Sequence, residues 1–488
     1  MFARLEAIVH RLRRRLSRNE WAIRNLGLIP SEGTSEAPGL LLIQIDGLAR
    51  RQFEAAVAAG RMPFLQRLMR HDVYRLHTFY PGLPTTTPAV QAELYYGVRG
   101  AVPAFSFFDR VRKKMGRMWD PEWAKDREAG YALEAEGLLR GGSSWSNIYT
   151  GGAAPEESHF CAASIGIGDM WRTGKIRNIF VFVVLQLPAA LRVFWLLLTE
   201  LVVAIWDGVV AIARGCKPSL ELLVLLSRVL VSVGLRELLR ISGEIDVTRG
   251  LPIVHLNFVG YDEQAHQRGP GSRFAHFGLR GIDRAIRRIV YAAHRSRRRD
   301  YAIWIFSDHG QEATRPFPPE NPGGIEAVIR GCFDHSQQRD PAWRARSQRR
   351  PVMAMPWLSR SERHRVRLEH LRAEEQLTLE EGRTFSVAAM GPVGHVYFAQ
   401  PMTAGQRGAL ARRLVAEGRV PGAARPVNCS QNQSRPVVVD ATWRAVDGRF
   451  FRRKLRIIFN SWTIGFRSRP TPGEAVPAPR MNCYLFRQ

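Results

Sequence analysis

The 488-residue chain is short of cysteine, lysine and acidic residues, and each shortage excludes something. Its five cysteines, Cys161, Cys216, Cys332, Cys429 and Cys483, are odd in number, far apart and form no Cys-x-x-Cys pair. That spacing excludes a disulfide scaffold and a cysteine-built metal site. Lysine occurs only at Lys113, Lys114, Lys125, Lys175, Lys217 and Lys454, so the net charge of +27 is almost entirely arginine. Such a charge usually marks a nucleic-acid or anionic-membrane partner. Here the arginines are scattered, with short clusters such as Arg13-Arg14-Arg15 and Arg297-Arg298-Arg299. No RRM, KH or paired Cys/His finger pattern accompanies them, which disfavours nucleic-acid binding. No internal repeat is present, and the N-terminus has no apolar core of signal-peptide type. Leu5, Ile8, Val9, Leu12 and Leu16 alternate there with arginine, the pattern of a basic amphipathic helix that lies on a membrane or packs on its own domain. The expected location is the cytoplasm or the periphery of a membrane.

Hydrophobic residues make up 45%, enough for a sizeable core. Residues 1–38 read as the basic helix and a linker, 39–427 as the main domain and 428–488 as a basic, atypical tail. Leu40 to Ile45 is an apolar run ending in Asp46-Gly47, a buried strand entering a loop. Arg50 to His71 reads as a helix. A loop punctuated by Pro81 and Pro84 leads to a helix over Ala89 to Tyr96 that stops at Gly97. Ile253 to Phe258, Tyr301 to Phe306 and His395 to Phe398 are further strands, and Phe274 to Ser296 is an amphipathic helix. Alternating strands and helices predict an α/β sheet with helices on both faces, where chemistry collects at the carboxyl ends of strands. Ile179 to Ala213 is strongly apolar, with Arg192, Glu200 and Asp207 as its only charges, and Leu220 to Val233 is a second apolar stretch. Together they predict an apolar helical insertion over about 176–240, a helix pair capping the domain or contacting a membrane.

Ligand-type side chains fall in five places: Asp46, the cluster Thr85-Thr86-Thr87, Asp262 with His266, adjacent Asp308-His309, and His395. Zinc accepts imidazole and carboxylate in near-tetrahedral sets, and three Asp, three His and a hydroxyl suffice for two such ions. Asp262 and His266, four residues apart, share one face of a helix. Each element alone is a weak signal, whereas the ordered combination is a strong one.

In that order, Ile45-Asp46-Gly47, Pro84-Thr85-Thr86-Thr87-Pro88, Tyr261-Asp262-Glu263-Gln264-Ala265-His266 with Gly269-Pro270, Ser307-Asp308-His309-Gly310 and Gly394-His395 resemble the type I phosphodiesterase/nucleotide pyrophosphatase branch of the alkaline phosphatase superfamily, its bacterial members above all. The likeness covers the ligand-bearing segments. It implies a three-layer αβα sandwich of alkaline phosphatase type and two Zn2+, with Mn2+ as the other candidate. One ion would be held by Asp46, Asp308, His309 and the nucleophilic threonine, the other by Asp262, His266 and His395. Family spacing from Pro84 and back from Gly97 selects Thr87 as nucleophile, with Thr86 in reserve. Capping chemistry agrees: Thr87 before Pro88 reads as an N-cap, leaving amides from Ala89 onward to hold a phosphate.

The implied activity is hydrolysis of a phosphate ester. The Thr loop lacks the Cys/Ser-x-Pro-x-Arg pattern of sulfatases. No Lys or Arg stands immediately beside Thr87 to hold a second phosphate charge, which favours a phosphodiester over a phosphomonoester. A lipid-linked phosphodiester and a nucleotide both suit the core. The competing reading is a catalytically inactive, membrane-associated binding module. Asn147 stands as a phosphate contact or, more commonly, a turn former.

Overall fold

The computed structural model describes residues 18–71, 74–78, 81, 85–99, 102, 104–109, 112, 114–164, parts of 191–206, 228–311, 324–334, 385–390, 393–398, 404–418, 422–425, 437–440 and 484–487. The expected N-terminal helix over its first 17 residues, most of the expected insertion and most of the expected tail lie outside them. The chain divides into two compact units: Met1–Phe107 with Gly116–Ala313 and Pro477–Gln488, and Phe108–Met115 with Thr314–Val476.

The first unit is built on a seven-stranded sheet. Its strands are β1 (Pro38–Ile45), β2 (Tyr74–His77), β3 (Ser143–Trp145), β4 (Ser158–His159), β5 (Ile253–Phe258), β6 (Asp300–Phe306) and a final strand, Tyr484–Arg487. The central strand β1 runs parallel to both β5 and β6, and β3 runs parallel to β5 and β4. Tyr484–Arg487 is antiparallel to β2 and meets β6 at Leu485 and Ile305. The sheet is therefore parallel at its centre and mixed at one edge.

Strand alternation divides the sheet into two unlike faces. Leu41, Ile43 and Ile45 of β1, Val254, Leu256 and Phe258 of β5, and Tyr301, Ile303 and Ile305 of β6 enter one apolar core. Helices α2 (Arg50–Ala58), α3 (Pro63–Arg70), α6 (Arg236–Arg249), α7 (Gly260–Arg268) and α8 (Arg273–His294) cover that face. Along α8, Ala275, Leu279, Ile282, Ile286, Ile289 and Ala293 recur at helical spacing and are fully buried, each Leu or Ile contributing about 1.5–3 kcal/mol. Ser272 caps this helix by accepting from the Ala275 amide at 3.1 Å. Asp283 accepts from the Phe64 and Leu65 amides, each at 3.0 Å, and so caps α3, whose own N-cap residue Met62 makes no side-chain bond. The opposite face carries Gln44, His255 and Asn257, all buried, and is covered by α4 (Thr87–Tyr96), on which α5 (Pro121–Glu134) packs.

Several expectations are corrected. The single helix over Arg50 to His71 is two, because Gly60 takes φ +66° and Pro63 opens a new first turn. At the described end of the expected insertion a π-helical stretch, Arg228–Leu235, runs into α6, nearly all of which is buried. Helix α1 (Arg18–Asn25) packs Ala22 and Ile23 on Ile241 and Ile245 of α6. The strand containing His395 belongs to the second unit rather than the central sheet: Val393–Phe398 pairs antiparallel with Phe385–Met390. Phe385, Val387, Val396 and Phe398 of that hairpin pack with Ile329 and Cys332 of Gly324–Asp334 and Leu410 and Leu414 of Ala404–Ala416. No helix among the described residues is long and apolar enough to cross a membrane.

Candidate metal centre and nucleophile

Three adjacent parallel strands end at one level, since Ile45 pairs with Phe258 and Gln44 with Phe306. Each hands over directly to a ligand-bearing segment. Asp46 follows β1, Ser307-Asp308-His309 follows β6, and α7, following β5, carries Asp262 and His266 one turn apart. Gly47 takes φ +67°, and a Cβ there would collide with the Asp262 carboxylate, so glycine lets the β1 and β5 segments approach. The Gly47 amide lies 3.4 Å from Asp308 Oδ1 and the Leu48 amide donates to Ser307 Oγ at 2.9 Å, fixing the third segment.

Asp46, Asp308 and His309 converge, with one ligand atom from each inside a 4.8 Å sphere of mutual distance. His309 Nε2 lies 3.4 Å from Asp46 Oδ1 and 3.6 Å from Asp308 Oδ2. Thr87 Oγ1 lies 3.2 Å from His309 Nε2 and 3.5 Å from Asp46 Oδ1. Asp308 is 0% and Asp46 4% exposed. Burial, then the Asp308 charge, pushes the Asp46 carboxyl up to about 7, although His309 opposes the shift. Burial works against protonation of His309, yet the Asp308, Asp46 and Asp262 carboxylates raise its pKa well above the ordinary imidazole value. Two buried carboxylates leaning on one imidazole make a site short of positive charge, which a divalent cation could supply. Oxygen and imidazole donors suit zinc or manganese.

Asp262 lies alongside. Its Oδ2 is 3.2 Å from His266 Nε2, and Gln311 Nε2 donates to its carbonyl at 3.2 Å and to its Oδ1. Burial raises the Asp262 pKa, but His266, His309 and Gln311 outweigh it and the net shift is downward. Thus Asp46, Thr87, Asp262, His266, Asp308 and His309 all lie in the first unit at this strand edge.

No family model matches the chain, and none of the curated proteins matches it. Among solved structures, phosphonoacetate hydrolase from Sinorhizobium meliloti 1021 in complex with phosphonoacetate is similar at a TM-score of 0.31 and 14% identity, over 58% of this chain and 57% of that one. The same hydrolase in complex with phosphonoformate gives 0.30 and 15% over the same shares. The chain thus spans little more than half the length of those structures. Likeness at this level bears no weight for activity, which rests on the site itself.

His395 lies in the second unit, where its Nε2 is buried without a hydrogen-bond partner and burial lowers its pKa. The capping expectation at Thr87 is corrected. Thr86, extended at φ −130° and ψ 148°, is the N-cap, and the Ala89 and Val90 amides both donate to its carbonyl at 3.0 Å. The helix starts one residue earlier than expected, so those amides are engaged and the Thr87 side chain is turned to Asp46 and His309. Asn147 behaves as a turn former, donating to Ser144 Oγ at 2.9 Å and accepting from Gln91 Nε2 at 3.0 Å.

Three supporting residues escaped the sequence reading. Gln91 Nε2 also donates to Gln44 Oε1 at 3.3 Å, and Gln91 Oε1 accepts from the Ile148 amide at 2.8 Å, which ties the helix bearing Thr87 to β1. Asn257 Nδ2 donates to Asp46 Oδ2 at 2.8 Å. Gln311 holds Asp262, as above. A signal for one of them was present: Asn257, like its neighbour Gln44, is a polar side chain in a central parallel strand where burial on both faces favours apolar residues.

Proposed function

We propose that this chain is a metal-dependent hydrolase of phosphate esters, of alkaline phosphatase type, with Thr87 as nucleophile. The observation that carries the reading is the placement of Thr87 Oγ1 within 3.5 Å of both His309 Nε2 and Asp46 Oδ1, beside the buried Asp46–Asp308–His309 cluster. Asp46, Asp308 and His309 would hold one cation. Asp262 and His266 would hold a second; both would be zinc, with manganese as the alternative. A bound divalent cation lowers the pKa of an adjacent hydroxyl and screens phosphoryl charge.

Within that frame Thr87 Oγ1 attacks phosphorus, forming an O–P bond as the ester O–P bond breaks and the alcohol departs. Water then cleaves the phosphothreonine and restores the hydroxyl. The first turn of α4 holds Thr87 in place through the Gln91 bonds to Gln44 and Asn147. The absence of Lys or Arg beside Thr87 in the sequence favours a phosphodiester substrate, lipid-linked or nucleotide. The test compares bis(p-nitrophenyl) phosphate with p-nitrophenyl phosphate for wild type, Thr87→Ala and Thr86→Ala, with zinc or manganese supplied. We expect Thr87→Ala alone to lose turnover, by at least about a thousandfold, with the diester the better substrate. Thr86 Oγ1 is buried without a hydrogen-bond partner, so its loss leaves turnover near wild type. Equal activity in wild type and Thr87→Ala would sink the assignment.

A membrane-surface partner has separate support. Leu191, Phe194, Trp195, Leu198, Val202, Ile205 and Trp206 recur at helical spacing and are exposed, Trp206 by 72%. Apolar, Trp-bearing stripes of this kind mark interfaces, lipid among them. The same stripe is what the inactive binding-module reading rests on, and that reading predicts vesicle binding without turnover.

A further inference from the structure

The two carboxylates of the Asp46–Asp308–His309 cluster are each held by one oxygen and turned inward by the other. Asp308 has Oδ1 near the Gly47 amide and Oδ2 toward His309. Asp46 has Oδ2 held by Asn257 and Oδ1 toward His309 and Thr87. We propose that Asn257 is a positioning residue for this centre. Its amide fixes the rotation of the Asp46 carboxylate so that Oδ1 faces the cation and the nucleophile. The inference rests on the metal-dependent reading and deepens it.

Asn257 is 1% exposed and lies on β5 opposite Gln44 of β1, two residues before Asp46. A rigid central strand therefore carries the donor, and the 2.8 Å bond is its contact with the cluster. The other half of the amide makes nothing: Asn257 Oδ1 is buried without a hydrogen-bond partner. An unpaired buried acceptor is destabilising, and a parallel strand buried on both faces favours an apolar, β-branched side chain at such a position. For folding alone, valine would remove that unpaired oxygen and free Asp46 Oδ2 in its place, so the two effects largely offset. What asparagine adds is the N–H on Asp46, and groups that orient metal ligands in this way commonly set affinity by about 10- to 100-fold.

The test uses the full chain stripped with chelator, comparing wild type, Asn257→Val and Asn257→Ala. Zinc affinity is measured by calorimetric titration, metal-free melting by circular dichroism, and kcat and KM on bis(p-nitrophenyl) phosphate. Asn257→Val, which exchanges the unpaired Asn257 Oδ1 for an unpaired Asp46 Oδ2, is expected to melt near the wild-type temperature without metal, to bind zinc about 10- to 100-fold more weakly and to lose kcat with KM little changed. Asn257→Ala, which removes the same donor with no added bulk, should weaken zinc binding to a similar degree. If wild type binds zinc and turns over while both variants bind as tightly as it does, the positioning role is overturned and the hydrolase reading stands. If both variants lose their metal-free melting transition along with zinc binding, Asn257 is a folding residue and the proposal is overturned. If wild type binds no zinc or manganese, the metal-dependent reading falls and takes this inference with it.

Discussion

His255 offers a quantitative check on the polar face of the sheet. It is fully buried on β5, and burial lowers its pKa from 6.5 to about 3. Tyr95 lies 2.5 Å from His255 Nδ1, and its own pKa is raised well above the ordinary value by burial, so the phenol stays protonated and donates while Nδ1 accepts. The proton of the neutral imidazole then sits on Nε2, which is buried without a partner. The unfolded chain binds a proton near pH 6.5 and the folded chain only near 3, so this group contributes stability that is present above 6.5 and lost as pH falls. Between about pH 7 and about pH 5 the linkage integral gives a loss of about 2 kcal/mol, and the result hardly changes for any folded pKa well below 5. His255→Asn keeps an acceptor near the place of Nδ1 but does not titrate. The assay is denaturant unfolding of both proteins at the two pH values. All other titrating groups are shared, so wild type should lose about 2 kcal/mol more than the variant on acidification. Equal losses would refute the buried, neutral assignment.

Cation binding itself should weaken with acid. With the Asp46 carboxyl raised to about 7 and the His309 imidazole raised well above its ordinary value in the metal-free protein, protons compete with the cation at both ligands, and affinity should fall by at least about tenfold per pH unit below 7. Calorimetric zinc titrations at about pH 6 and about pH 8 check this, and equal affinities would contradict it. On α6, Arg240 bonds Glu237 at 2.7 Å and Glu244 at 2.6 Å, all three being buried. Arg240→Met should therefore cost about 3–5 kcal/mol in unfolding free energy, because two buried carboxylates lose their shared partner. An unchanged denaturation midpoint would contradict that.

The parts of the fold legible in the sequence were those set by local pattern. β1, β5 and β6 are short apolar runs, and each is followed at once by its ligand segment, so Asp46, Asp308 and His309 could be placed at strand ends before their convergence was visible. Gly97 ends α4 with φ +72°, as its position after Tyr96 implied. What depended on distant partners was not legible. Tyr484–Arg487 joins the first unit's sheet only through antiparallel pairing with Tyr74–His77, far away in sequence. The hydrophobic pattern over Arg50 to His71 is continuous across the break at Gly60 and Pro63. Residues 228–240 read as insertion because apolar content cannot distinguish a capping helix from a core one; Arg236, Glu237 and Arg240 there pair along their own helix, and it is their burial that comes from the fold. At Thr85-Thr86-Thr87 the one-residue shift of the cap is of the size at which helix boundaries ordinarily vary, yet it decides which hydroxyl faces the cluster.

The central claim is that Thr87 carries the phosphoryl group during turnover. Its most direct test is rapid acid quench of the metal-loaded enzyme with a phosphodiester substrate, followed by peptide mass spectrometry. The account predicts a phosphoryl adduct on Thr87, absent from Thr87→Ala. Steady turnover with no adduct, or with the adduct on another residue, would contradict it.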